Sequence, residues 1–258
     1  MFYKDIDFSK FSSIKIGQVE KVLMIEKGDT IPEDRFIVGG ANNLLISPNP
    51  PPLLKLSKDF SYIKKDGNSL FIGASTPNGK LISFAKKNNI GGVEFISKLP
   101  GTIGGMVAMN AGLKAYEIFN IIEKIKIDNI WIDKSQIEYG YRFAKLDGVV
   151  TDIKIKIEKG FNYQLLEELS RLRDNQPKLP SAGSVFKNPK GDFAGKLIDE
   201  VGLKGFRRGG MEFSKIHANF LVNIGGGTFE DAKFLIDLAK KRVYEKFGIK
   251  LQEEVKIL

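Results

Sequence analysis

Apolar residues in this chain fall into short runs and short periodic stretches, each bounded by glycine, proline or asparagine. Phe36-Ile37-Val38 predicts a buried strand running into Gly39-Gly40-Ala41-Asn42-Asn43. Leu44-Leu45-Ile46 then resumes the apolar character, until Pro48, Pro50, Pro51 and Pro52 rule out a helix. Leu70 to Ala74 predicts a second strand. Thr76 as N-cap and Pro77 as first helical residue then open a predicted helix carrying Leu81, Phe84 and Ala85, which stops at Asn88-Asn89 and Gly91. Polar residues alternate with Ile153, Ile155 and Ile157, the period of a strand, and Gly160 breaks it.

The character changes from about residue 162. Leu165, Leu166, Leu169 and Leu172 have helical spacing, and a proline-containing loop follows at 177–180. A short helix with Ala194, Leu197, Ile198 and Val201 is stopped by Gly202, and Phe220 to Asn223 predicts a strand. Thr228 with Asp231 three residues on predicts the capped start of a long helix that Gly248 closes. A domain boundary is placed near 158–162. No internal repeat or low-complexity tail interrupts the pattern.

A length of 258 residues with 42% hydrophobic and 28% charged residues suits a folded protein with a sizeable core. No apolar run approaches the roughly 18 residues of a membrane span. The opening MFYKDIDFSK lacks the apolar stretch of a signal peptide, so a soluble, cytoplasmic protein with no membrane partner is expected. The absence of cysteine excludes disulfides, thiolate metal sites and cysteine nucleophiles, and the single histidine, His217, removes multi-histidine metal sites. No metal is expected. A net charge of +9 invites a nucleic-acid reading, but the basic residues are mostly lysines scattered singly or in pairs. Small anionic ligands fit that distribution at least as well, and nucleic acid is not expected as a partner.

Two glycine-rich stretches carry the chemistry that local reading can see. In Gly39-Gly40-Ala41-Asn42-Asn43, small residues after a strand let backbone N–H groups converge on an anion such as a pyrophosphate, although a plain turn between strands reads equally well. The G-x-G-x-x-G fingerprint of the Rossmann fold is absent. The second stretch runs from Pro100-Gly101-Thr102-Ile103-Gly104-Gly105 to Asn110-Ala111-Gly112. It holds no charged residue from Gly101 on, which suits a loop backbone pressed against a bulky ligand. Together they suggest an extended dinucleotide.

In their order and spacing, seven segments resemble the UDP-N-acetylenolpyruvoylglucosamine reductases. They are GGANNLL at 39–45, GVEFISKLPGTIGGMVAMNAG at 92–112, YR at 141–142, PSAGSVFKNP at 180–189, AGKLIDEVGLKG at 194–205, HANFLVN at 217–223 and LQEEV at 251–255. The chain departs from the family pattern at Ala41, Asn42, Met106, Ala144 and Gln252. Of these, Ala41 puts a Cβ where the backbone usually approaches phosphate. The short span from Arg142 to Ser184 resembles the subclass without an inserted tyrosine-bearing loop.

The resemblance implies an α+β fold: a two-lobed FAD-binding unit of the vanillyl-alcohol-oxidase type, lobes 1–57 and 58–158, with an α+β substrate domain over 159–258. It implies FAD and NADPH as cofactors, and reduction of the enolpyruvyl ether of a UDP-sugar to UDP-N-acetylmuramate, with no second copy of the chain required. Carried onto this chain, it makes Arg142 the stabiliser of developing carboxylate charge, Ser184 the proton donor to carbon and Glu254 the partner of the enol. Flavin contacts are implied at Gly39, Gly40, Ala41, Asn42, Asn43, Leu44, Pro100, Gly101, Thr102, Gly104, Gly105, Asn110, Ala111 and Gly112, and substrate contacts at Tyr141 and Asn188. Read without the resemblance, Arg142 is a surface cation, Ser184 a turn hydroxyl and Glu254 half of a solvated acidic pair. G-x-S-x-G is absent, so Ser184 makes a poor hydrolase nucleophile, and His217 stays open, with a structural role or one supporting a site residue favoured. A flavin-fold scaffold without chemistry would need damage at these positions, and an oxidase of the same fold would have no need of Asn188 or Glu254.

Overall fold

The computed structural model describes all 258 residues, in two compact units that interleave along the chain. One comprises Met1–Lys4, Val22–Gly40 and Pro52–Asp174, the other Asp5–Lys21, Ala41–Pro51 and Asn175–Leu258. No helix is long and apolar enough to cross a membrane.

The first unit is built on two sheets. Strands β1 (Phe2–Asp7), β2 (Val19–Ile25), β3 (Phe36–Ile37) and β4 (Leu53–Leu56) form a sheet in the order β1-β2-β4-β3. Strand β4 runs parallel to both neighbours, with Leu54 opposite Leu23 and Ile37. A parallel strand covered on both faces reads as a nearly continuous apolar run, and Leu53-Leu54-Lys55-Leu56 is one, broken by a single lysine. The second sheet contains β5 (Ile63–Asp66), β6 (Ser69–Gly73), β7 (Ile122–Ile127), β8 (Ile130–Asp133) and β9 (Val150–Lys156), all antiparallel, in the order β8-β7-β9-β6-β5. Ile153 and Ile155 of β9 face Ile72 and Leu70 of β6, and all four lie in the core. Leu23, Ile25, Leu54 and Leu56 from the first sheet join the same hydrophobic cluster.

Helices α1 (Asn78–Lys87), α2 (Ile103–Ala108) and α3 (Tyr163–Arg171) complete this unit. Helix α1 starts one residue later than the sequence predicts. Pro77, at φ −62° and ψ 140°, is its N-cap, while the buried hydroxyl of Thr76 donates to the Tyr62 carbonyl at 3.0 Å. The buried hydroxyl needs an acceptor, and that carbonyl lies within reach. Helix α2 forms inside the stretch that the sequence reads as a loop. Gly104 and Gly105 each cost about 1 kcal/mol in a helix relative to alanine, but their neighbours Ile103, Met106 and Val107 are buried and hold the turn.

The second unit carries an antiparallel sheet of β10 (Ser181–Ser184), β11 (Arg207–Arg208), β12 (Met211–Phe213) and β13 (Phe220–Asn223), in the order β10-β13-β12-β11. Leu44–Leu45 pairs in parallel with Lys256–Ile257. Helix α4 (Ala194–Glu200) and the long α5 (Phe229–Phe247) pack their apolar faces into one cluster with Phe186, Met211, Phe213 and Leu221. Helix α5 has the capping box that Thr228 and Asp231 predict, and Gly248 ends it at φ 68°.

Gly73 is a tight point of the first unit, because a Cβ there would stand 2.1 Å from the Phe60 carbonyl oxygen. Gly73→Ala is therefore expected to lose about 3 kcal/mol of stability, read as a lower urea midpoint. Gly67→Ala, where no atom lies within 4 Å of the added carbon but φ is 53°, should lose only the smaller backbone term.

Candidate functional site

The first unit contains a cleft whose walls come from both glycine-rich stretches. Strand β3 delivers Gly39, β4 delivers Lys55, Ser75 follows the end of β6, and Thr102, Gly104 and Gly105 come from the start of α2. Backbone bonds fix that start: Ile103 N–H donates to the Thr76 carbonyl at 3.0 Å and Gly104 N–H to the Ala74 carbonyl at 2.9 Å. The walls can approach because they lack side chains. A Cβ on Gly39 would meet Thr102 Oγ1 at 2.9 Å, and one on Gly104 would meet the Ala74 methyl at 3.0 Å.

Lys55 is the charged residue among those lining the cleft. Its ammonium donates to the carbonyls of Val38, at 3.4 Å, and Gly39. Burial, with the like charge of Lys4 added, pushes its pKa down to about 8. The sequence does carry a signal for it, a lone cation inside a parallel-strand apolar run, but local reading passes it over.

The remaining expected flavin positions divide between the two units. Gly101 gives its carbonyl to Asn78 N–H at 3.0 Å. Asn110 is fully buried at φ 42° and is engaged by the chain: its Oδ1 accepts from Phe119 N–H at 3.3 Å, and its Nδ2 donates to Glu117 Oε2 at 2.7 Å and to the Gly140 carbonyl at 3.0 Å. Ala111 bonds backbone to backbone with Met106 and Ile118, and Gly112 pairs with Glu117 so closely that a Cβ would lie 2.1 Å from the Tyr116 oxygen. Asn110, through the Gly140 carbonyl, and Gly112, whose carbonyl accepts from Arg142, brace the hairpin Tyr139–Gly140 and Phe143–Ala144, whose two-residue turn is Tyr141-Arg142. Ala41, Asn42, Asn43 and Leu44 belong to the second unit. There Ala41 and Asn42 offer their carbonyls to Ser13, and Asn43 Nδ2 donates to the Glu254 carbonyl at 2.9 Å.

Arg142 holds a left-handed conformation, φ 56°, which costs a non-glycine residue of order 1 kcal/mol. Its Nη2 donates to the Gly112 carbonyl at 3.0 Å and its guanidinium lies 5.0 Å from the Tyr141 ring centre. Arg173 is close enough to feel it: burial first and the Arg142 charge second lower the Arg173 pKa, while Arg173 donates to the Lys98 carbonyl. Two guanidiniums in one neighbourhood suit an anion, and no motif in the local sequence singles out Arg173.

In the second unit, Ser184 and Glu254 sit on adjoining extended segments. Strand β10 pairs Ser181 with Val222 and Ser184 with Phe220, so it holds one residue more than its partner, a bulge that Gly183 accommodates at φ 79°. The chain after Ser184 is then clamped from two sides. Asn219, buried, accepts from Phe186 N–H at 3.0 Å and donates to the Phe186 carbonyl at 2.8 Å, and Glu254 N–H donates to the Val185 carbonyl at 2.8 Å. The Glu253 carboxylate pairs with Lys240 at 2.6 Å. Asn188 accepts from Ala194 N–H at 3.1 Å and so caps α4, whose N-cap residue Phe193 offers no side-chain bond. His217 Nδ1 accepts from Asn219 N–H at 3.3 Å, and the ring lies edge-on to Phe220.

Comparison with known proteins adds a name to this geometry. The family described as "UDP-N-acetylenolpyruvoylglucosamine reductase, C-terminal domain" matches residues 175–258. The chain is 46% identical to the UDP-N-acetylenolpyruvoylglucosamine reductase of Helicobacter hepaticus, over 98% of each chain. It is 45% identical to that of Helicobacter pylori over the full length of both. Among solved structures, UDP-N-acetylenolpyruvylglucosamine reductase from Thermus caldophilus superposes with a TM-score of 0.88 at 28% identity, covering 100% of this chain and 99% of the other.

Removing the Asn219 clamp leaves a buried N–H and a buried C=O without partners. Asn219→Ala should cost about 3 kcal/mol in urea unfolding. Burial lowers the His217 pKa, its own backbone partly restores it, and the charge of Lys204 lowers it further. The folded form therefore favours neutral imidazole, so the stability contribution is present above the unfolded value of about 6.5 and is lost as pH falls through the folded value. Urea midpoints should drop between pH 7 and 5, and His217→Gln should flatten that slope.

Proposed function

The chain belongs to the UDP-N-acetylenolpyruvoylglucosamine reductase family, and on that premise we propose that it reduces the enolpyruvyl ether of UDP-N-acetylglucosamine to UDP-N-acetylmuramate with FAD and NADPH. The proposed setting is peptidoglycan precursor synthesis in the cytoplasm. The observation that carries the reading is the cleft of the first unit. Its glycine walls leave room where a Cβ at Gly39 or Gly104 would intrude, and it pairs hydroxyls at Ser75 and Thr102 with one half-buried ammonium at Lys55. Those residues fit an anionic dinucleotide: backbone close to its diphosphate, a cation for its charge and apolar walls for its rings.

Bound there, FAD would supply the two-electron carrier between NADPH and the methylene carbon of the enolpyruvyl group. The chain's own residues supply charge and proton. As hydride adds to the methylene carbon, the C=C electron pair moves toward the carboxylate. Arg142, permanently charged and able to bind a carboxylate bidentately, opposes that build-up. The Glu254 carboxyl shares a proton with the enol-like oxygen. The Ser184 hydroxyl gives its proton to the adjacent carbon, which completes the lactyl ether, and a proton from solvent restores the serine. A hydroxyl is a weak acid, but an enolate carbon is basic enough to take its proton. Asn188 and Tyr141 are assigned to the substrate, Asn188 to its diphosphate.

The purified protein should be yellow, bleach with NADPH and recover its colour on addition of the enolpyruvyl sugar nucleotide; a protein that takes up no flavin contradicts this reading. Ser184→Ala should keep flavin reduction by NADPH within about threefold yet lose at least 10²-fold in reoxidation by substrate. Stopped-flow absorbance separates the two half-reactions, and equal loss in both would make Ser184 structural.

A further inference from the structure

The turn that carries Arg142 is not explained by its own residues. Two-residue hairpin turns form most easily with a left-handed residue at the first or at both central positions, where glycine, asparagine and aspartate serve. Here only the second position, Arg142, is left-handed, at φ 56°, and neither it nor Tyr141 is of those types. The hairpin is instead held from outside by three contacts. Asn110 Nδ2 donates to the Gly140 carbonyl at 3.0 Å, Arg142 Nη2 donates to the Gly112 carbonyl at 3.0 Å, and the buried Phe119 ring stacks on Tyr139 with centres 4.2 Å apart.

The first two contacts lead back to Glu117, and the third to Phe119, two residues on. An ionised carboxylate has acceptors alone, so Glu117 Oε2 takes an Nδ2 hydrogen of Asn110, at 2.7 Å, while Asn110 Oδ1 accepts from Phe119 N–H at 3.3 Å. Those two partners fix which way the amide faces, and so direct its other Nδ2 hydrogen to Gly140. Gly112 pairs with Glu117 across a short ladder so tight that a Cβ on the glycine would lie 2.8 Å from both Cα and Cγ of Glu117. We propose that Glu117 is a positioning residue for Arg142: through the Asn110 amide and the Gly112 carbonyl it sets the turn from which the guanidinium meets the enolpyruvyl carboxylate. The inference rests on the reductase reading above. Glu117 exchanges no proton with the substrate and acts through Asn110, Gly112 and Arg142. Misplacing a reacting or charge-stabilising group by about 1 Å can cost a step about 10²-fold, so a loosened turn shows in the rate.

Stopped-flow absorbance on the flavin-loaded full chain reads the test. Glu117→Ala should keep flavin reduction by NADPH within about threefold of wild type, whereas reoxidation by the enolpyruvyl sugar nucleotide should slow at least about tenfold. Glu117→Gln, whose amide oxygen can still accept from Asn110, should recover reoxidation to within about threefold. The decisive comparison is a double-mutant cycle. In an Arg142→Met background, itself slow in reoxidation, adding Glu117→Ala should change the rate by less than about twofold, because the group it positions is gone. Melting curves verify folding; should Glu117→Ala not fold, Glu117→Asp, which keeps the charge but is one methylene short of Asn110, takes its place in the cycle. Equal loss in both half-reactions, undiminished reoxidation, a Glu117→Gln rate no better than that of Glu117→Ala, or losses that multiply in the double variant each overturn the proposal and leave the reductase reading intact. A wild type whose reduced flavin is not reoxidised by that sugar nucleotide overturns both.

Discussion

At Gly104 the backbone comes within hydrogen-bonding distance of the strand end at Ala74, and a Cβ there would stand 3.0 Å from the Ala74 methyl. That close approach pins the first turn of α2 against β6 and brings Thr102 opposite Gly39, so the cleft of the first unit follows from it. The same turn gives its other bond to Thr76, whose hydroxyl is spent on Tyr62. Helix α1 consequently starts at Asn78, whose Nδ2 reaches back to Leu99 and whose N–H reaches Gly101. One tight contact thus propagates through four segments that are distant in sequence.

Left-handed backbone and desolvated charge occur at several of the positions proposed for the site. Arg142 and Asn110 both hold left-handed backbones, and Asn110 braces the hairpin whose turn carries Arg142. Ala41 does the same at φ 51°, where the family pattern has glycine, and it is buried, so its methyl is accommodated at a backbone cost of order 1 kcal/mol. Lys55 and Arg173 carry desolvated positive charge, each near a like charge. They are arrangements that rigid surroundings hold in place, as expected where a protein is shaped to meet an anion.

Much of the fold is legible along the chain because local chemistry and tertiary packing agree there. Thr228 with Asp231, Gly202 and Gly248 mark helix ends by backbone geometry that only a few residue types satisfy, and alternation at Ile153 and Ile155 marks a strand with one face buried. Legibility fails at Thr76, an ordinary capping residue whose hydroxyl is claimed by a distant carbonyl. It fails again in α2, where glycines argue for a loop while buried Ile103, Met106 and Val107 decide for a helix. Asn110 and Asn188 are suited to ligands by side-chain chemistry, but part of their capacity goes to Phe119, Glu117, Gly140 and Ala194.

The sequence by itself determined the ordered motifs, hence the family, and the residue types available for chemistry: one histidine, no thiol, Arg142, Ser184 and Glu254. Those depend on covalent identity and spacing, which the chain carries openly. Only the tertiary structure decided that Lys55 lies in a glycine-walled cleft, that Arg173 shares a neighbourhood with Arg142, and that Asn219 and Glu254 hold the chain beyond Ser184 from two sides. Burial and electrostatic proximity arise from residues far apart in sequence, so no local pattern encodes them.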